Sequence, residues 1–379
     1  MDASMTDDDE DRVRLVCLCA SHVDSMVRLA CLRDMLRSWC GQRPGPPLPL
    51  YLALSVGAAL EPRVVLRALE PWTTQVVGAA AAADQPLLRI VLQDGGDPPA
   101  TPLARVAALV TGGACLPEET AAAAAGGPPV WLLFAEDGDI WHPDRVETYR
   151  STIVEDVLAA GPQGGDAACV SVQAHASPVG AGVLPPGGAS AHTVDAALLA
   201  GAAADGGSGS SSSSSTAPDC DVVRGHRAQP RHFEWWMLSC SLAAFRAFVA
   251  SAGPAVLAHP LADVFLVRHL RHTPGRRIHE VDPDAALPTG WAVARRRGPG
   301  AWDRGPPDAA ARVDRLIVLC GACGAALPAL AADPAREPTL RGLLGGVDDD
   351  EDRDAITAAV RAVLSAPGAA ERYRPFFVP

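Results

Sequence analysis

Apolar residues along this chain come in two rhythms. Short continuous apolar runs alternate with longer stretches whose apolar positions recur every three or four residues. The first run, residues 13–20 (VRLVCLCA), reads as a strand buried on both faces. Residues 26–40 follow with Met26, Leu29, Ala30, Leu32, Met35, Leu36 and Trp39 on one helical stripe. A proline-rich turn at 44–49 leads to a second strand, 50–56, then a helix over 62–69 and a third strand over 87–92. Residues 101–111 read as a helix with Pro102 in its first turn. Pro128 and Pro129 then introduce a buried strand at 130–134 (VWLLF), and Pro143 opens a helix over 144–153. This alternation predicts an α/β domain with a mostly parallel, Rossmann-like sheet and helices on both faces.

Past residue 166 the pattern thins. Residues 166–174 form one more predicted strand, and 177–219 have a composition too rich in small and polar residues to bury a core, ending in a Gly/Ser tract at 206–215. That segment is expected to be a flexible insertion looping out of one domain. Patterned sequence resumes with a strand-like start at 232 and a helix from Leu242. A second helix follows over 261–272, with strands over 278–281 and 291–294. The C-terminal extension, 301–379, reads as helical. Within it the uncharged run 316–332 is expected to be a buried strand followed by a helix rather than a membrane span, 354–364 a capped helix, and 373–379 an extended strap.

Charge changes this picture little. The formal net charge of −12 is carried by six acids within 2–11 and six within 348–354, so the body of the chain is close to neutral. Without a basic field, nucleic acid is not an expected partner. Composition excludes more. Among the 379 residues there is no lysine and no asparagine. Schiff-base lysines, P-loop lysines and N-glycosylation sites are therefore ruled out. All basic charge is arginine, which grips phosphate bidentately and does not act as a base. The ten cysteines show no paired zinc spacing. Cys320-Gly-Ala-Cys323 is a lone C-x-x-C, so buried thiols in a reducing, cytoplasmic compartment are expected. The acidic N-terminus lacks the pattern of a signal peptide.

Chemistry concentrates after the strand at 130–134, in Glu136-Asp137-Gly138-Asp139. Such a cluster is commonly a solvated turn. A divalent cation is the other way to offset three crowded carboxylates, because Mg or Mn is held by one or two carboxylates plus substrate phosphates. The continuation Asp139-Ile-Trp-His-Pro-Asp-Arg145 resembles the acidic loop and D-x-W-x-P-x-[KR] segment of family 2-like nucleotide-sugar glycosyltransferases, which have the GT-A fold. The helix RLACLRDMLRSWCGQ, the Leu103-Ala104-Arg105 segment and the helix LADVFLVRHLRH resemble that family's first helix, its A-R-N helix and its acceptor-side E-D-x-x-L-x-x-R-L helix.

The resemblance covers about residues 13–297 and implies a specific layout. Residues 12–176 would bind the nucleotide-sugar and 220–300 the acceptor, with 1–11 a disordered tail. Ala20, Ser21, Asp24, Arg105, Asp137 and Arg297 would contact the donor. Asp137 and Asp139 would hold Mn or Mg, with His279 as a third ligand, and Asp263, or alternatively Glu234, would be the general base. Arg295, Arg296 and Arg297 form a basic loop able to clamp a diphosphate, and Trp235 and Trp236 are candidate sugar platforms. The implied activity is transfer of a sugar from a nucleotide-diphosphate donor to a sugar or protein hydroxyl. The chain departs from the family in two places. Ala262 replaces the first acid of the acceptor-side pair, and Ser55-Val56-Gly57 stands where an Asp usually binds the base. Those departures leave open a catalytically degenerate binding module, and paired acids also leave open a nucleotidyltransferase.

Overall fold

The computed structural model describes residues 12–43, 48–79, 88–93, 101–112, 126–158, 169–172, 175–176, 238–272, 278–281, 293–295, 309–346 and 350–377. The expected insertion at 177–219, Glu234, Trp235, Trp236, Arg296 and Arg297 lie outside these residues.

Strand β1 (Arg14–Val23) is the axis of the molecule. It runs three residues further than its apolar run, because Ser21, His22 and Val23 pair in parallel with Leu54, Ser55 and Val56 of β2 (Leu50–Val56). Helix α1 (Met26–Cys40) begins where Ser25 caps it, the side chain accepting from the Arg28 amide. Its stripe is buried through Leu29, Leu32, Met35, Leu36 and Trp39, while Met26, expected on it, is exposed at the helix start. Helix α2 (Pro62–Ala79) continues through Pro71 to twice the expected length. Strand β3 (Leu88–Leu92) pairs outside β2, and helix α3 (Pro102–Thr111) is capped by Thr101. The chain then crosses back to β4 (Val130–Glu136), which pairs in parallel with the other side of β1.

Because parallel crossovers are right-handed, reversing the direction of travel after β3 sends α3 to the opposite face from α1 and α2. The sheet is covered on both faces, which explains why β1, β2 and β4 read as continuous apolar runs. Its full order is β3-β2-β1-β4-β8-β6-β9, with β6 at Cys169–Val172, β8 at Leu238–Ser241 and β9 at Ile278–Val281. Only β8 runs against the others, wedged between β4 and β6. A small second sheet joins β5 (Asp139–Trp141), β10 (Val293–Arg295) and β7 (His175–Ala176) in the order β5-β10-β7. Within the strand expected at 166–174 the structure describes β6, Cys169–Val172, and β7 begins just past it in the other sheet.

After β5, helix α4 (Arg145–Thr152) passes into a π-helical turn, Ile153–Leu158. Helix α5 (Leu242–Leu257) kinks at Gly253 (φ 71°) ahead of Pro254, and α6 (Ala262–His272) folds back along it, bringing His269 to Phe248 with ring centroids 5.7 Å apart. The C-terminal layer corrects two expectations. The run beginning at 316 belongs to helix α7 (Ala309–Ala322), not a strand. Val313, Ile317 and Cys320 are buried at helical spacing, and the short apolar run could not distinguish the two on its own. After α8 (Leu327–Ala332), α9 (Pro338–Leu343) and α10 (Asp350–Leu364), the tail turns helical again in α11 (Ala369–Tyr373) and a tight turn at Arg374–Phe376. It is not an extended strap. Among the described residues, no helix is long and apolar enough to cross a membrane.

Candidate functional site

The parallel strands β1 and β4 lie side by side, yet the chain leaves β1 toward β2 and reaches β4 only by crossing back. Such a reversal opens a crevice at the strands' carboxyl ends, where open α/β sheets bind ligands. Both strands deliver polar side chains there. Ser21 lies buried near the carboxyl end of β1, and Asp137 follows β4 directly. The Ser21 hydroxyl donates to Asp137 Oδ2 at 2.8 Å, across the crevice. Arg28, three residues past the Ser25 cap, reaches over from the first turn of α1. Its Nη2 lies 2.9 Å from Asp137 Oδ1.

A second limb extends to β2. Arg105, on the first turn of α3, donates from Nη1 to the Ser21 carbonyl at 3.0 Å and to the Ser55 hydroxyl. Ser55 Oγ also lies 2.8 Å from His22 Nδ1, its register partner on β1. Gly57 closes this edge. A Cβ there would come within 3.0 Å of the Asp24 Cα, so only glycine lets the end of β2 pack so closely against Asp24. The cluster thus gathers Ser21, Asp24, Arg105 and Asp137 of the expected donor-binding residues around Ala20, which pairs with both Ala53 and Glu136.

Burial and charge pull against each other here. Burial raises the Asp137 carboxyl above its ordinary value, while Arg28 and the Ser21 hydrogen bond oppose that shift. Burial likewise lowers the His22 imidazole, and the neighbouring Arg105 guanidinium adds to the effect. His22 is therefore neutral near pH 7. Burial also pushes the Cys17 and Cys19 thiols up, which marks them as inert core groups.

The acidic turn is built from beneath. Asp139 is fully buried, and its Oδ2 accepts from the Glu136 amide at 2.8 Å, closing the turn between β4 and β5. Arg145 is also fully buried. It donates to the Phe134 carbonyl at 3.0 Å and lies over the Trp141 ring, 4.2 Å from its centroid. Gln42 ties the far end of α1 to this segment, donating to the His142 carbonyl and accepting from the Val146 amide. Strand β10 sets Arg295 opposite Asp139 in register.

Other expected residues are placed elsewhere. The register puts His279 level with Leu133 on the outermost strand β9, three strand spacings from β4. At about 4.8 Å per spacing this is about 14 Å sideways, too far for a ligand shared with Asp137 or Asp139. Asp263 stands on the first turn of α6, where its Oδ1 accepts from the Val264 amide. Thr101 Oγ1 donates to the Leu257 carbonyl at 2.7 Å, so α5 ends where α3 begins. Asp263 is therefore on the same end of the sheet as Arg105.

The donor set does not fit a resident divalent cation. Both Asp137 oxygens are engaged, one by a hydroxyl and one by a guanidinium, and an Asp139 oxygen is spent on the Glu136 amide. Among the described residues, no three His, Cys, Asp or Glu side chains gather as a metal site.

The contacts of three residues of the cluster went unread in the sequence. His22 and Ser55 face each other only because β1 and β2 are parallel in this register, and Arg28 carried no signal beyond its place three residues after a capping serine.

No protein-family model and no curated protein sequence matches this chain. Solved structures to which it is similar include the crystal structure of S. aureus TarS. That match has 10% identity and a TM-score of 0.37, covering 96% of this chain and 54% of TarS. The chain thus spans about half the length of that protein.

Proposed function

We propose that this chain transfers a sugar from a nucleotide-diphosphate-sugar donor to a hydroxyl acceptor. The observation carrying this reading is the hydrogen bond from Ser21 to Asp137 across the β1/β4 crevice, flanked by Arg28 and Arg105. A polar, arginine-rich corner at that point of an open α/β sheet is where a nucleotide diphosphate binds. His22, Ser55 and Asp24 line the β2 side of the corner, and there they would meet the nucleoside.

In the transfer, the acceptor oxygen bonds to the anomeric carbon of the sugar. The bond from that carbon to the diphosphate oxygen breaks, and its electron pair leaves with the diphosphate. The acceptor proton passes to a base. Asp263, on the same end of the sheet, is the assigned base, a role that contributes ~10²- to 10⁴-fold. Arginines rather than a bound metal neutralise the departing diphosphate.

The test is a panel of nucleotide-sugars assayed for release of the nucleoside product. Release of a nucleoside diphosphate by the intact chain, lost in Asp137→Asn and reduced in Asp263→Asn, is the expected result. Release of pyrophosphate would show a nucleotidyltransferase. Tight nucleotide binding without turnover of any donor would show a binding module.

A further inference from the structure

We infer that Arg28 occupies the place a divalent cation would take in this site, so that the site binds nucleotide diphosphates without metal. The inference rests on the nucleotide reading above and specifies how the phosphates are held. A cation bridging carboxylate and phosphate must find oxygens free to turn toward it. Asp137 offers none without giving up both an ion pair at 2.9 Å and a hydrogen bond at 2.8 Å. Asp139 is sealed under the turn that its own Oδ2 closes.

Arg28 supplies what the cation would. Its side chain is 30% exposed while Asp137 is 2% exposed, so the guanidinium sits on the solvent side of the carboxylate, between it and any entering ligand. With Nη2 turned to Asp137, the fork keeps further N–H donors, and its planar geometry matches phosphate oxygens. The start of α1 adds its backbone dipole in the same direction. Arg105 adds further positive charge behind the corner, on Ser21. Asp137 is thus a holder for Arg28, and Arg28 is the group that touches the diphosphate.

The test is titration calorimetry of UDP and GDP into the full-length chain, in EDTA and in Mn²⁺. The expected result is a Kd that agrees within about twofold between the two buffers, since the charge comes from arginine. Arg28→Gln should weaken Kd ~10- to 100-fold, the loss expected for charge-assisted hydrogen bonds, while its melting temperature stays near wild type. Arg28→Lys should recover only part of this, because an ammonium lacks the planar fork. Binding that requires Mn²⁺, or Arg28→Gln binding as tightly as wild type, overturns this inference and leaves the nucleotide reading standing. Binding of neither nucleotide in either buffer overturns both.

Discussion

Asp137 and Asp314 are each held by one hydroxyl and one guanidinium. Asp137 takes Ser21 at 2.8 Å and Arg28 at 2.9 Å, and Asp314 takes Tyr373 at 2.8 Å and Arg372 at 2.6 Å. Their settings differ. Asp314 is 27% exposed on α7 and gathers distant pieces of chain, with His259 a further partner at 3.6 Å. His259 in turn stacks edge-on against Phe376 at 4.9 Å, so this carboxylate fastens the C-terminal tail to the α5–α6 corner. Asp137 joins the end of β4 to its neighbours β1 and α1. It is buried at the mouth of a crevice, where its charge costs stability, and the proposed ligand would account for that cost. The same bonding pattern thus serves as a staple in one place and, on the proposed reading, as a binding fixture in the other.

The strongest test of this contrast is Asp137→Asn. Turnover of the nucleotide-sugar should fall ~10²- to 10³-fold, the range for losing a charged group that orients transition-state donors. Stability should move the other way. The folded state raises the Asp137 pKa above its unfolded value of 3.8. In that window the folded state binds more protons, so this group's contribution falls as pH rises through it and is lowest at neutral pH. Asn keeps an acceptor for Ser21 without the charge. The variant should therefore melt at or slightly above wild type at pH 7, with the difference closing toward pH 4. A clear drop in melting temperature at pH 7 would make Asp137 a second staple.

Arg145→Met sharpens the same division from below. Losing the Phe134 contact and the stacking on Trp141 should cost about 3 kcal/mol in denaturant unfolding, with activity reduced as the acidic turn loosens. Gly321→Ala attacks the staple without touching its charges. A Cβ there runs into the Phe376 backbone, so about 2 kcal/mol of stability should be lost with nucleotide affinity unchanged. Asp314→Asn should have the smallest effect, at most about 1 kcal/mol, because Arg372 is 65% exposed and screened. Faster hydrogen exchange across 369–376 with unaltered nucleotide binding is the expected signature.

The sheet's parallel half was legible because strands covered on both faces must be apolar throughout. Residues 13–20, 50–56 and 130–134 showed this plainly, and the proline and serine flanks marked where helices begin. What lay beyond reading was adjacency. Ser55 reads in the sequence as a missing Asp, whereas the β1/β2 register makes it the link between Arg105 and His22. His279 reads as a ligand near the acids because a strand can be foreseen without knowing which edge it will occupy. The apolar segment of α7 suits either strand or helix until its neighbours are known. Arg28 resembles any other arginine on an amphipathic helix until Asp137 is brought beneath it.

The position of β8 bears on how this protein is made. Leu133 of β4 finds its partner Ser239 only after roughly a hundred more residues have been added. At the ribosome's pace of ~5–20 residues per second, the apolar edge of β4 waits on the order of five to twenty seconds with its peptide groups unmated. Nascent chains stalled inside that interval should be the ones chaperones hold longest. A release of the chain before Ser241 would leave a half-sheet ready to pair with a neighbour.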